Sequence, residues 1–120
     1  MALDENIPWE DITVHESGGF YETWGLQDEN GTAVDITGDT FEAHVRATFS
    51  TSAALLLDIS PSIESATGGT ILWNVSEANV ATLTTGADMV YDLFHTVSGT
   101  PPQKICRGRF IKESSATDTA

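Results

Sequence analysis

Three histidines, one cysteine and a scatter of acids are the side chains here that could do chemistry. Histidine and carboxylate together could ligate a metal or move a proton. His15, His44 and His95, however, fall on three separate predicted strands, with no partner at metal-ligand spacing. Each therefore reads as a surface strand residue. Asp28-Glu29-Asn30-Gly31 has the look of a calcium loop. An EF-hand loop places its glycine sixth and a glutamate twelfth; here glycine comes fourth and the twelfth residue is Asp39. That stretch reads as a turn. Glu10-Asp11 is an acid pair, but nothing in the sequence buries it or brings a second group near. Glycine loops for phosphate, nucleophile elbows and His-Glu-x-x-His are absent from the sequence. No catalytic residue, cofactor or metal is expected.

Cys106 is the single cysteine. It excludes an intramolecular disulfide and a multi-cysteine zinc site. Lys104, Arg107 and Arg109 beside it could lower its pKa, but free cysteine is among the most buried residue types, and a core-facing strand position is expected.

The elements that must position these groups are strands. Phe41, Ala43, Val45, Ala47 and Phe49 alternate with Glu42, His44, Arg46 and Thr48. A period of two is a half-buried strand. Similar reasoning gives strands over Trp9–His15, Phe20–Gln27, Thr40–Phe49, Leu55–Ile59, Ile63–Ala66, Thr70–Val75, Met89–Thr96 and Gln103–Ile111. Turns are expected at Ser17-Gly18-Gly19, at Asp28–Thr32 and at Gly68-Gly69. Ser76–Leu83 is the one helical segment, with Ser76 as N-cap and Gly86 as its end. Both phases of Met89–Thr96 are apolar, so it is placed centrally. Tyr91 resembles the tyrosine corner of Greek-key sandwiches. The fold class is all-β: an antiparallel, immunoglobulin-like β-sandwich of about seven or eight strands with one short helical turn. An extended N-terminal arm over 1–8, a sandwich over 9–112 and a tail over 113–120 divide the chain.

The 120 residues suffice for one domain, burying roughly two-thirds of the unfolded surface. The formal charge is −13, from 18 acids and 5 bases. Such a surface repels nucleic acid and anionic membranes, and neither is expected as a partner. The longest apolar run, Ala53–Leu57, is far below the roughly 20 residues of a membrane span. Met1-Ala2-Leu3-Asp4-Glu5 has no cationic start or apolar stretch, so no cleaved leader is expected.

Charge is uneven along the chain. No Lys or Arg precedes Arg46, and four of the five cations are Lys104, Arg107, Arg109 and Lys112. This basic strand either pairs with acidic neighbours across the sheet or forms a docking stripe for an acidic partner. Trp24 and Trp73 share phases with apolar residues and belong in the core. Trp9 follows Pro8 among acids, and is either a partner anchor or a lid on the sandwich. The candidate partner-binding residues are Ile7, Pro8 and Trp9 at the front, and Lys104, Arg107, Arg109 and Lys112 at the back.

One resemblance accompanies these readings. Trp24-Gly-Leu-Gln-Asp-Glu-Asn-Gly, then Val34-Asp-Ile-Thr-Gly-Asp-Thr-Phe-Glu-Ala-His-Val-Arg, carry its first half. Gly69-Thr-Ile-Leu-Trp-Asn-Val-Ser, Leu83-Thr-Thr-Gly, Val90-Tyr-Asp-Leu-Phe and Arg107-Gly-Arg-Phe-Ile complete it. In order and spacing, over about 12–112, they resemble small virion proteins of tailed bacteriophages and the N-terminal domain of phage baseplate upper proteins. The resemblance implies a connector sandwich in the tail, baseplate or fibre-attachment region. It would be assembled in the host bacterial cytoplasm into the virion, in many symmetric copies against other virion proteins. The chain ends at Ala120 without the fibre of the baseplate proteins. A capsid decoration protein and a carbohydrate-binding module using Trp9 and Tyr21 are the alternative expectations.

Overall fold

Alternation organises the fold, strand by strand. The computed structural model describes residues 7–115. The strands are β1 (Ile12–His15), β2 (Phe20–Gly25), β3 (Thr40–Arg46), β4 (Leu55–Ile59), β5 (Ser62–Ser65), β6 (Thr70–Val75), β7 (Val90–Thr96) and β8 (Gln103–Glu113), with one helix, α1 (Glu77–Ala81). They form a five-stranded sheet, β1-β8-β7-β3-β4, and a three-stranded sheet, β2-β6-β5. The all-β sandwich is as expected, and β7 lies in the middle of its sheet.

Each sheet turns one face inward. Phe41, Ala43 and Val45 of β3, Tyr91 and Leu93 of β7, and Cys106 and Phe110 of β8 are buried. They meet Ile71, Trp73 and Val75 of β6 in one core cluster. Trp73 is fully buried, with Phe20, Trp24 and Tyr91 around it at ring distances of 6.2, 4.9 and 6.0 Å. Trp24 is only partly buried, and its indole N–H reaches the Glu22 carboxylate at 2.6 Å. That bond explains the acid that interrupts the apolar phase of β2.

Local chemistry sets the connections. Asp28 Oδ1 accepts from the Asn30 and Thr32 amides, and Gly31 has a φ of 81°. This is the expected turn, closed by the Gln27–Ala33 bridge. Gly69 adopts a φ of 68° against the backbone of Leu26 and Val34, where no side chain fits. Ser76 Oγ caps α1 by accepting from the Asn79 amide at 3.1 Å, and Val80 anchors it in the core. The helix is shorter than expected. It ends at Thr82, and Gly86 belongs to the turn that follows.

Two expectations are corrected. The sandwich is not wholly antiparallel: β1 runs parallel to β8, from Ile12 beside Phe110 to His15 beside Glu113. A parallel neighbour needs a long crossover, and nearly the whole domain lies between these strands. That pairing also carries β8 on to Glu113, into the segment assigned to the tail. Tyr91 is not a tyrosine corner. Its hydroxyl donates to the Glu10 carbonyl, 81 residues upstream, rather than to the nearby chain. Burial, with the Cys106 thiol 3.4 Å away, drives the phenol pKa strongly upward.

Candidate functional site

Residues 8–11 lie along β8 and build an exposed aromatic corner. The Arg107 amide donates to the Pro8 carbonyl at 3.1 Å, and the Glu10 amide donates to the Arg107 carbonyl at 2.8 Å. Trp9 is thereby set in a parallel bridge with Arg107. Trp9 is 51 % exposed; Phe49, 46 % exposed, meets it edge-on at 5.9 Å. The Arg107 guanidinium lies 5.9 Å from the indole centroid, within cation–π range. Asp11 fixes the indole from below, accepting from its N–H at 2.7 Å and from the Arg109 amide at 3.0 Å. Trp9 is thus a positioned, half-exposed side chain.

The structure brings some expected site residues together and separates others. Pro8 and Trp9 lie beside Arg107, Ile7 is partly buried just before them, and Arg109 is exposed on the same strand as Arg107. Lys104 points to the outer face as well. A register shift opposite Leu93 and Phe94 re-phases the strand there. Its ammonium stands 3.6 Å from Asp92 and 5.8 Å from the Phe94 ring, which is the cross-strand pairing read from the charges. Lys112 is a correction. It is 5 % exposed and points inward, its Nζ donating to the Leu83 carbonyl at 2.8 Å. Alternation along β8 puts Lys112 in phase with Phe110 rather than with Arg107 and Arg109, so it cannot belong to a docking stripe. Trp9 and Tyr21 do not converge either: Tyr21 is exposed on β2, in the other sheet.

The outer face of the five-stranded sheet holds a further grouping. Register places Asp58, His44 and Asp92 side by side across β4, β3 and β7. Glu42 is two residues from His44 on the same face. His44 Nε2 is 3.2 Å from Glu42 Oε2 and 3.5 Å from Asp58 Oδ1. Next to it, the loop after β3 roofs a groove of about 220 Å³, whose lining includes His44, Arg46, Phe49, Asp92, Phe94 and Lys104. His44 therefore does have partners, supplied by a neighbouring strand that spacing along the chain could not reveal. His95 is also corrected. Its side chain is mostly buried, 2.7 Å from Asp39 and stacked on Phe41 at 4.6 Å.

Burial, with the Glu42 charge second, raises the Asp58 carboxyl pKa above its ordinary value, and His44 only partly offsets this. A raised native pKa favours the protonated acid. Its contribution is therefore present at pH below the unfolded pKa of about 3.9 and is lost as pH rises through the native value. Asp58→Asn should then stabilise the domain slightly at pH 7 in metal-free buffer, by less than about 1 kcal/mol because the site is half exposed. It should confer no gain near pH 3. Urea unfolding at both pH values checks this; an equal effect at both would contradict it.

Cys106 faces the core as expected. Burial is the largest influence on its thiol and raises the pKa, outweighing its hydrogen bond with the Tyr91 hydroxyl. The basic neighbours do not activate it. Set against known protein families and curated proteins, the chain matches neither a family model nor a curated protein.

Proposed function

We propose that this chain is a non-enzymatic structural connector of a tailed-bacteriophage particle, held in many copies against other virion proteins. The observation that carries the reading is the β4 edge. Among the described residues only β3 pairs with it, which leaves one row of its backbone donors and acceptors for another chain. Leu55 and Leu56 are exposed there, 45 % and 39 %, without a Lys or Pro in the strand. Natural proteins blunt free edges with charges, prolines or bulges; β4 carries one charge, Asp58, and a register shift at Leu56, yet its exposed leucines still suit strand addition. The Trp9–Phe49 corner supplies a second grip, since exposed tryptophan beside arginine is typical of binding hot spots. The motif order across 12–112 supplies the phage assignment.

The test is incorporation into particles. Leu55→Lys with Leu56→Lys, and separately Arg107→Glu with Arg109→Glu, should leave the purified domain folded by circular dichroism. Particles assembled with either double variant should lack the protein. Normal copy number in particles carrying both pairs of changes would refute the reading.

A further inference from the structure

Three side chains of metal-ligating type meet on the outer face of the five-stranded sheet, and their donor set is mixed. Glu42 and His44 leave β3 on one face because a strand repeats every two residues. Asp58 reaches them because β4 sets it directly opposite His44. One ligand atom from each lies within 4.8 Å of the others. The two separations from His44 Nε2 are 3.2 and 3.5 Å. Around zinc, with bonds of about 2.0–2.2 Å, tetrahedral ligands stand ~3.3–3.6 Å apart. The triad already spans two edges of such a tetrahedron.

Its electrostatics point the same way. Among the described residues, neither Glu42 nor Asp58 has a Lys or Arg ion pair; their one basic neighbour at this distance is His44. Arg46, the next cation on that face of β3, is committed elsewhere, its Nη1 donating to the Ala53 carbonyl at 2.6 Å. Two carboxylates and a neutral imidazole would neutralise a doubly charged ion. The imidazole disfavours magnesium and calcium, which take oxygen ligands, and the absence of thiolate disfavours soft ions.

We propose that Glu42, His44 and Asp58 form a three-ligand site for a divalent transition-metal ion of the zinc type, with its remaining coordination position facing outward. The site sits between the β4 edge and the groove under the loop after β3. It does not depend on the phage assignment.

Calorimetric titration of the whole chain with zinc chloride tests it. One ion should bind per chain. His44→Gln and, independently, Glu42→Gln should weaken binding on the order of 10- to 100-fold or more, with circular dichroism unchanged. His15→Gln, which alters the other exposed histidine–carboxylate pair, should bind as the parent does. Magnesium at the same concentration should not compete. The proposal is overturned if zinc does not saturate by millimolar concentration, if His44→Gln and Glu42→Gln both bind like the parent, if His15→Gln abolishes binding, or if magnesium displaces zinc at equal concentration.

Discussion

Trp73→Ala should lower the unfolding free energy by ~3–5 kcal/mol, the range for removing a buried tryptophan. A domain of this size has about 5–15 kcal/mol in all, so the variant should sit close to unfolding at 37 °C. The effect is large because Trp73 holds the two sheets together. It belongs to the three-stranded sheet through β6, yet touches Phe20 and Trp24 on one side and Tyr91 of the larger sheet on the other. Tyr91 in turn meets Phe110 at 6.3 Å, so the cavity would open beside the ring that fastens the N-terminal segment. Among the described residues the Trp73 indole N–H has no hydrogen-bond partner. A buried donor left unmade costs ~1–3 kcal/mol, so Trp73→Phe, which removes that donor and keeps a ring, should cost less than half as much as alanine. Urea denaturation followed by circular dichroism measures both. A loss below about 1 kcal/mol for Trp73→Ala would mean that the sheets are held elsewhere.

Much of this fold was legible because period-two patterns speak directly of burial. Phe41, Ala43 and Val45 fix β3, Ile71, Trp73 and Val75 fix β6, and the Gly68-Gly69 and Asn30-Gly31 pairs mark turns in which Gly69 and Gly31 take the positive φ that favours glycine. What alternation cannot report is which strand lies beside which. His44 looked solitary because its partner Asp58 is supplied by β4 through register. Lys112 looked like a fourth member of a basic stripe because composition counts charges without their phase. Its even spacing from Phe110 placed it inward, and its odd spacing from Arg107 and Arg109 placed it off their face; the re-phasing near Lys104 hid that split. The parallel seating of β1 on β8 was unreadable for a different reason. It depends on a contact between the two ends of the chain, and its one sequence mark is Gly108.

Gly108→Ala should cost roughly 2–4 kcal/mol and release the Trp9 corner. The Glu10 peptide crosses directly over this glycine. A Cβ there would come 2.6 Å from the Glu10 carbonyl carbon, closer still to its oxygen, and 3.2 Å from the Asp11 amide. These are backbone atoms, so no rotamer change relieves the clash, and the segment must lift. Lifting breaks the bonds of Pro8 and Glu10 with Arg107 and the bond from Tyr91. Each contributes ~0.5–1.5 kcal/mol, and the buried Tyr91 hydroxyl is left to find water. Gly18→Ala is the matched control, because its Cβ would meet only the His15 carbonyl at an ordinary 3.6 Å, and it should change stability by less than about 0.5 kcal/mol. Thermal unfolding measures the cost. Protease susceptibility between Pro8 and Asp11 reports whether the segment has left β8, and it should rise in Gly108→Ala alone. If Gly108→Ala unfolds like the parent and stays resistant, the N-terminal segment does not lie over β8, and the position assigned to Trp9 falls with it.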